Sequence, residues 1–315
     1  MEIIKQIDSL QIYNCEQKLN SIEKQLLLDF IGYLKQSKKI RFIYRGDCKI
    51  REHYNVDISD ITLLSHYIFA IGEKGSFFLK KKKKKELNQF EFIWNKLNKK
   101  ICELRFETES NTQKVCTFLR NNDELNSFFS NNQNKELFLN CANLDKKTQI
   151  KVIDYYIALL HTIGKSGINN SYFLSSTIDR QVADKFKKEG IVLYGWIPKK
   201  GFKDCVISYE DINTEDSIIK QLGLPIYKIP VYPDQKEICL KCGLLPHYII
   251  GFQYQHKFYV NSNVFNKWDE NVIYTGFNIN QHNFNHILRK TNYKYEYIFC
   301  DGEYYIFEDN NIHKI

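Results

Sequence analysis

Methionine and proline are scarce in this sequence, with one Met and five Pro among 315 residues. Long apolar runs are also lacking: none reaches the roughly 20 residues that a membrane-spanning helix needs, and no apolar secretory segment follows Met1. Hydrophobic residues make up 43% of the chain and aromatic residues 15%, which is too much for a disordered protein. We therefore expect a globular protein without a membrane partner, working in the cytoplasm of its own cell or of a cell into which it is delivered.

The nine cysteines are odd in number and scattered, so they do not form the framework of a small disulfide-rich fold. This usage favours a reducing compartment. Cys239 and Cys242 form a lone C-x-x-C pair, but no second cysteine or histidine pair lies at the spacing typical of zinc sites. The sequence therefore predicts no metal site, and it assigns no role to any of the eight histidines.

The basic excess of the chain is mostly local. The formal net charge is +8, and the run Lys80–Lys85 supplies six of these charges, which leaves 8 − 6 = +2 for the rest. Like charges in a row repel one another, and such a run is typical of a solvated loop. The alternative is an electrostatic contact with nucleic-acid phosphates or with an acidic partner.

Apolar periodicity predicts helices over residues 16–36, 57–71, 86–104 and 145–163. In the first of these helices the apolar face is expected to consist of Leu19, Ile22, Leu26, Phe30 and Tyr33. The second is expected to begin at an Asp57 or Ser59 cap, with an apolar face of four residues: Ile61, Leu64, Ile68 and Ile71.

The third helix is expected to bury a face of five apolar residues: Phe90, Ile93, Leu97, Ile101 and Leu104. The fourth is expected to bury Ile150, Ile153, Ile157 and Leu160 and to end at a Gly164 cap. The apolar run from Ile191 to Ile197 predicts a strand.

Two longer stretches are expected to be additions to the core of the protein. Residues 80–143 are expected to form a helical insertion that binds an acceptor or an antitoxin-like partner, or that only adds bulk. Short aromatic and polar runs over 264–315 predict additional strands.

The most informative stretch is Tyr232–Leu240. A turn at Pro233 and Asp234 precedes Gln235 and Glu237, and an apolar run from 238 to 240 follows. If the chain is extended from residue 235 onward, side chains two positions apart point the same way. Gln235 and Glu237 are then expected to face one site together.

In two upstream segments, too, polar or small residues stand next to a short apolar strand. The apolar strand Ile40–Tyr44 is followed by Arg45 and Gly46, an arginine fork suited to a pyrophosphate and a glycine that allows close backbone approach. The strand Tyr172–Leu174 is followed by Ser175.

The helix after this second strand is expected to begin at a Thr177 cap, with Asp179 in its first turn. Its inward face is expected to consist of Val182, Ala183 and Phe186.

In that order, strand-Arg-Gly, Phe-Leu-Ser-Ser-Thr and Gln-x-Glu, the chain resembles the R-S-E class of mono-ADP-ribosyltransferases over roughly residues 41–255. The Ser-Ser-Thr departs from the common Ser-Thr-Ser by exchange of its last two residues. The resemblance implies an α+β protein with a split β-sandwich core and N-terminal helices. Residues 1–260 would form the catalytic domain, and a β-rich extension over 261–315 would pack on it.

The resemblance also implies the site. Glu237, Gln235 and Ser175 would be catalytic: Glu237 would bind the nicotinamide ribose, Ser175 would orient Glu237 or hold the ribose, and Gln235 would position the acceptor. Tyr232 would stack on the acceptor. NAD would be the cofactor, bound by five residues of the two upstream segments: Arg45, Gly46, Ser176, Thr177 and Phe186.

The expected activity is transfer of ADP-ribose from NAD to a macromolecule by a toxin or effector, for instance in phage defence or a toxin–antitoxin pair. In this family a Gln at position 235 accompanies non-arginine side chains or nucleobases, so the acceptor is either RNA or DNA, or a protein. One alternative is an NAD glycohydrolase on the same fold. An alternative of another class is a non-enzymatic nucleic-acid-binding or interaction protein.

Overall fold

The chain contains both strands and helices, and a series of consecutive helices separates the strand that ends at Asp47 from the strand that begins at Leu174. The structure, a computed structural model, describes residues 2–36, 40–73, 90–105, 113–164, 174–198, 206–208, 216–227, 232–240, 244–262, 297–300, 303–308 and 311–314. The lysine run at 80–85 lies outside these ranges, so its predicted role stays a prediction.

The strands are, in chain order, β1 (Gln11–Asn14), β2 (Gln17–Lys18), β3 (Ile40–Asp47), β4 (Leu174–Thr177), β5 (Ile191–Pro198), β6 (Val206–Ser208), β7 (Glu237–Leu240), β8 (Ile249–Tyr254), β9 (Lys257–Val260), β10 (Tyr297–Cys300), β11 (Glu303–Glu308) and β12 (Asn311–Lys314).

The α-helices are α1 (Glu2–Asp8), α2 (Ser21–Gln36), α3 (Ile50–Tyr54), α4 (Ile61–Ile71), α5 (Phe90–Arg105), α6 (Gln113–Arg120), α7 (Asp123–Ser130), α8 (Lys135–Leu139), α9 (Lys146–Ile163), α10 (Arg180–Lys187) and α11 (Asp216–Gln221). Four short 3-10 helices cover Asn132–Asn134, Asn140–Asn143, Pro233–Gln235 and Pro246–Tyr248. Among the described helices, none has both the length and the apolar character needed to cross a membrane.

The chain divides into two units. The first consists of Met1–Lys80, Leu174–Cys205 and Cys242–Ile315, and the second of Lys81–Phe173 and Val206–Lys241. The predicted α+β class is confirmed, and the strands pair mostly antiparallel. The split β-sandwich of an ADP-ribosyltransferase stays a prediction.

The main sheet of the first unit has its described strands in the order β2-β1-β9-β8-β5-β3-β4. The pair β1–β9 is parallel, and the other neighbouring pairs are antiparallel. Within this order β5 lies between β8 and β3, and its residues 191–197 are an almost unbroken apolar run and are all buried. A run of this kind indicates a strand that is covered on both faces.

The strands β10, β11 and β12 form a separate antiparallel sheet in the same unit. They lie within the tail for which additional strands were predicted, so that prediction is confirmed for residues 297–300, 303–308 and 311–314. Within the first unit, β10 contacts α4.

The buried face of α2 differs in part from the predicted one, although Phe30 is buried as expected. Ile22 and Leu26 are exposed, at 75% and 47% of their surface, whereas Leu27, Ile31 and Leu34 are fully buried. Apolar residues occupy two neighbouring faces of this helix. The core covers the face that includes Leu27 and Ile31, not the face that includes Ile22 and Leu26. The helix also begins later than predicted, because residues 17–18 form β2 and the Asn20 side chain accepts hydrogen bonds from the first turn.

The start of α4 is also corrected. The N-cap is Asp60, whose side chain accepts from the backbone of Leu63 at 2.9 Å, rather than Asp57 or Ser59. The predicted packing of Leu64 is confirmed, since it is fully buried.

The second unit is built on helices that pack around aromatic rings. Ring centroids lie 5.2–5.8 Å apart in a cluster of five residues, with edge and tilted geometries: Trp94, Phe128, Phe129, Phe138 and Tyr156. Such pairs contribute about 0.5–1.5 kcal/mol each beyond the burial of their area. This cluster forms the centre of the core against which α9 and β7 pack.

Two helices of this unit were predicted with their packing faces. The face of α5 is confirmed, since its five predicted apolar residues are buried: Phe90, Ile93, Leu97, Ile101 and Leu104. The helix α9 begins after Asp145, whose side chain accepts from the backbone of Lys147 and Thr148 at 3.0 and 3.1 Å, and it ends at the predicted Gly164.

In the first unit α10 packs directly on β3 at Gly46. A Cβ on Gly46 would collide with the Ala183 carbonyl oxygen and would lie 2.6 Å from the Lys187 nitrogen. Both of these are backbone atoms of α10, so relief requires movement of the whole helix. Gly46 is therefore required by the packing of this helix on the strand.

We expect the substitution Gly46→Ala to lower the free energy of unfolding by about 3 kcal/mol, because the added methyl separates α10 from β3. The matched control is Gly32→Ala in α2, where the new methyl would lie 3.8 Å from Ile4 and should stabilise the helix by about 0.5–1 kcal/mol. Urea denaturation of the full chain measures both changes. Equal effects of the two substitutions would contradict the packing argument.

Candidate functional site

Arg45 lies inside β3 rather than after its end. The predicted strand ended at Tyr44, but pairing with β5 continues to Asp47 and includes both Arg45 and Gly46. The prediction was wrong here because the partner strand supplies backbone hydrogen bonds beyond the apolar run. Arg45 is consequently fixed at the backbone.

The Arg45 guanidinium is held by two neighbours. Its Nε donates to Glu73 Oε1 at 2.6 Å, and its Nη1 donates to the backbone carbonyl of Ser175 at 2.7 Å. The side chains of Arg45 and Glu73 are only 13% and 0% exposed. The first unit thus brings together Arg45 and Ser175, two predicted site residues that are 130 positions apart.

A charged network surrounds this arginine. Asp47 accepts from His53 at 2.7 Å. Burial lowers the pKa of Arg45, but the nearby carboxylates of Glu73 and Asp47 outweigh this effect and raise it. Burial raises the pKa of Glu73, and the charge of Arg45 offsets only part of the rise. Burial and then the charge of Glu73 raise the pKa of Tyr54.

Glu73 was not identified from the sequence. It follows Gly72, the C-cap of α4, whose φ of +81° is one that glycine adopts without strain. The backbone of Glu73 then pairs with Leu244 through hydrogen bonds of 2.8 and 2.9 Å. A carboxylate right after a helix-ending glycine is the available signal, but it does not reveal that this carboxylate is buried.

The three hydroxyl residues Ser175, Ser176 and Thr177 form most of β4. Ser175 is half-buried, and the other two side chains are buried. Tyr172, which the predicted strand included, lies outside the described residues. The strand therefore contains the serine that it was predicted to precede, and the roles of these residues toward NAD stay predictions.

The helix after β4 is capped differently from the prediction. Asp179 is the N-cap of α10 and accepts from Gln181 N at 3.0 Å, while Thr177 Oγ1 accepts from Asp179 N. Val182 is buried as expected.

Phe186 corrects the prediction for the inward face of α10. Its side chain, in the last turn of this short helix, is 50% exposed. A role of Phe186 in binding NAD stays a prediction.

In the second unit Gln235 and Glu237 do not lie on one extended segment. Gln235 ends a 3-10 helix, Lys236 has a φ of +43°, and β7 begins only at Glu237. The alternation on which a shared face depended does not apply, because the turn extends two residues further than predicted. The apolar run after Glu237 is buried as expected.

Tyr232 precedes this turn and is half-buried. The Lys114 ammonium lies 5.8 Å from the centroid of its ring, within the range of a cation–π contact. A molecule that stacks on the Tyr232 ring would therefore have the Lys114 ammonium close by.

Glu237 is held by two other side chains of the second unit. His161 Nε2 lies 3.0 Å from Glu237 Oε1, and the Cys239 thiol is also within hydrogen-bonding reach of the carboxylate. Burial, followed by the charge of Glu237, raises the pKa of Cys239 well above its usual value. The side chains of His161 and Glu237 are 17% and 12% exposed, so this carboxylate is oriented in a largely water-excluded position.

His161 was not identified as a site residue from the sequence. It lies in the last turn of α9, within an otherwise apolar stretch, and 76 positions before Glu237. A single histidine among apolar residues near a helix end is the signal that was present. Its partner is set by tertiary packing and has no local trace.

Two groups of side chains among the described residues have metal-ligating atoms within 4.8 Å of one another. One consists of Asp47, His53 and Glu73, and the other of His161, Glu237 and Cys239. The first includes Arg45 as a bonded neighbour, and a fixed positive charge disfavours a cation there. The second has a nitrogen, an oxygen and a sulfur donor, a set that suits zinc.

The predicted site residues thus fall into two groups. Arg45, Gly46 and Ser175 lie in the first unit, and Gln235 and Glu237 in the second. Contact is described between Arg45 and Ser175 and between Glu237 and His161. That all of these residues serve one bound NAD stays a prediction.

Comparison with known proteins gives no match to a family model, to a curated protein or to a solved structure.

We expect Glu73→Gln to lower the free energy of unfolding by about 3–5 kcal/mol, because it leaves the Arg45 charge buried without its counter-ion. The control is Glu91→Gln, which removes an ion pair with Lys135 in which Glu91 is 66% exposed and should cost less than about 1 kcal/mol. Urea denaturation measures both. Similar costs would show that Arg45 does not depend on Glu73.

We expect the contribution of Asp47 to stability to depend on pH. Burial opposes its ionisation, but the hydrogen bond from His53 and the charge of Arg45 outweigh this effect and lower its pKa. A carboxyl with a lowered pKa in the folded state stabilises the protein above its unfolded pKa, about 3.9, and this contribution is lost as pH falls through the folded value. Asp47→Asn should therefore destabilise most near neutral pH.

The measurement is urea denaturation of the wild type and Asp47→Asn at several pH values from 7 downward. The difference between them should be constant above about pH 4 and should shrink below it. Glu52→Gln, which removes an exposed carboxylate in α3, is the control and should have little effect at any pH. A difference that grows as pH falls would contradict the sign of the Asp47 contribution.

Proposed function

We propose that this protein is an NAD-dependent mono-ADP-ribosyltransferase that modifies a macromolecule. The observation that carries the proposal is the 2.7 Å bond between the Arg45 guanidinium and the Ser175 backbone. The resemblance to ADP-ribosyltransferases implied that these two residues share a site, although 130 positions separate them. The hydrogen bond joins β3 and β4, which are neighbouring strands of the first unit.

The chemistry of Arg45 supports a phosphate-binding role. A guanidinium has several N–H donors in a fixed planar arrangement that suits phosphate oxygens. The bonds to Glu73 and Ser175 use only two of these donors. The raised pKa of Arg45 keeps its charge at all relevant pH values, as a pyrophosphate partner requires.

The environment of Glu237 supports a role in cleavage. When the bond between nicotinamide and ribose breaks, positive charge develops on the sugar. A carboxylate that is already oriented and partly shielded from water stabilises such charge strongly. His161 orients Glu237 through one oxygen at 3.0 Å, and we assign His161 the role of a positioning residue.

The acceptor side of the proposal rests on residues next to Glu237. Gln235 is half-buried at the end of a turn just before this carboxylate, and Tyr232 precedes the same turn. The resemblance to ADP-ribosyltransferases with a Gln at this position implies a nucleobase or a non-arginine protein side chain, and an aromatic ring can stack on an unpaired base. We propose RNA, DNA or a non-arginine protein side chain as the acceptor.

The test is incubation of the protein with labelled NAD and a whole-cell lysate. We expect Glu237→Gln to reduce NAD consumption by about 100–1000-fold, the loss typical of removing one oriented electrostatic group. Glu124→Gln, an exposed residue of the same unit, is the matched control and should behave as the wild type does. Equal NAD loss with Glu237→Gln and the wild type, or no NAD loss with either, would overturn the proposal.

The same products separate the alternatives. Label released by nuclease identifies a nucleic-acid acceptor, and label released by protease identifies a protein acceptor. We expect Gln235→Ala to lose labelling of the macromolecule while it still consumes NAD. Free ADP-ribose without any labelled macromolecule in the wild type would instead identify a glycohydrolase. RNA binding that is weakened by salt and unchanged by Glu237→Gln, without NAD loss, would identify a binding protein.

A further inference from the structure

His161, Glu237 and Cys239 form a compact group of three different donor types. The imidazole nitrogen, a carboxylate oxygen and the thiol sulfur all lie within 4.8 Å of one another. Around a tetrahedral Zn²⁺ such donors are separated by about 3.3–3.6 Å, given metal–ligand distances of about 2.0–2.3 Å. The 3.0 Å between His161 Nε2 and Glu237 Oε1 is close to this value, so small side-chain rotations suffice to admit an ion.

The elements that carry these donors are fixed by packing. Glu237 and Cys239 are two positions apart on β7, so their side chains leave the same face of the strand. Cys239 belongs to the aromatic core of the second unit and is only 4% exposed. His161 lies in the last turn of α9, which packs in the same core through Ile157 and Leu159. Rigid elements of this kind hold ligands at a constant separation.

We propose that His161, Glu237 and Cys239 bind a divalent cation of the zinc class. A nitrogen, an oxygen and a thiolate match Zn²⁺, and a thiolate does not suit Mg²⁺ or Ca²⁺. Three protein ligands leave a fourth position open, as in catalytic or exchangeable zinc sites. Binding displaces the thiol proton of Cys239 to solvent and breaks the hydrogen bond between His161 and Glu237.

Spacing in the sequence could not reveal this site. Glu237 and Cys239 are two positions apart on one strand, but His161 is 76 positions before Glu237. Cys242 lies outside the described residues. Helix α9 supplies the missing ligand through packing alone. This is the reason that a search for paired cysteines and histidines predicted no metal.

A regulatory consequence follows if the proposed function holds. The cation and the ribose of NAD would use the same Glu237 carboxylate, so Zn²⁺ should inhibit NAD consumption. Removal of one ligand should raise the Zn²⁺ concentration for half-inhibition by more than about 100-fold, since even loss of an indirect supporting contact costs 10–100-fold in affinity. We expect this shift in Cys239→Ser.

The direct test is titration of the full chain with Co²⁺, which replaces Zn²⁺ and gives a near-ultraviolet thiolate-to-cobalt absorption band. We expect one Co²⁺ per chain with this band, displaced by Zn²⁺. Cys239→Ser should lose the band, and His161→Ala and Glu237→Gln should weaken Co²⁺ binding by more than about 100-fold. Cys141→Ser, which changes another buried thiol of the same core, is the matched control and should keep the band.

Two results would overturn the site. One is the absence of a thiolate band in the wild type, and the other is a band that survives both His161→Ala and Glu237→Gln. Thermal unfolding guards against misfolded variants, because Zn²⁺ should raise the melting temperature of the wild type and of Cys141→Ser only. These readouts do not use NAD, so failure of the metal site and failure of the proposed function are distinguishable.

Discussion

The buried contact between the Arg45 guanidinium and the Glu73 carboxylate is the interaction on which the first unit depends. A charge this far from water requires a close partner, since an unpaired buried ion costs several kcal/mol. Glu73 reaches Arg45 because Gly72 ends α4 in a conformation that suits glycine, and because Leu244 pairs with the backbone that follows. One ion pair thus ties a strand, a helix end and a distant loop to the same point.

The same arginine also fixes the strand that carries the serines. Its bond to the Ser175 carbonyl holds β4 beside β3, while Asp47 and His53 join α3 to the network. Stability and the proposed binding of NAD therefore depend on the same guanidinium. Substitution of Arg45 would affect both, which is why its neighbours are the more informative residues to change.

In the second unit the main feature is an oriented carboxylate, Glu237, at the start of β7. Glu237 is oriented by His161, and Cys239 of the same strand packs in the aromatic core of the second unit. The carboxylate meets both a nitrogen and a sulfur atom. An arrangement of this kind can serve charge stabilisation or metal binding, and the choice depends on which ligand is present.

Local sequence patterns predicted those features that local chemistry determines. The apolar run of β5, the five-residue face of α5 and the cap of α9 at Gly164 were all found from periodicity and glycine placement. The face of α2 was not, because Ile22 and Leu27 lie on adjacent stripes and only the tertiary fold decides which one is covered.

Features that depend on contacts distant in sequence were missed. The family resemblance correctly implied that Arg45 and Ser175 lie close together. The pairing of Arg45 with Glu73 and of Glu237 with His161 had no local signal, because each joins residues that are brought together only by packing. The strand β3 likewise extends past Tyr44 because β5 supplies hydrogen bonds, which no pattern within β3 records.

The parallel pair β1–β9 has a consequence for the order in which the protein is made. Gln11 pairs with Lys257, so the N-terminal strand leaves the ribosome long before its neighbour exists. Until then β1 presents an unpaired edge, and the helices of the second unit are synthesised in the interval. The sheet of the first unit closes late and across a large sequence separation, which places it among slowly folding topologies. In a chain interrupted before residue 257 this edge of β1 would stay unpaired and could pair with strands of other molecules. Such a fragment would be prone to aggregation.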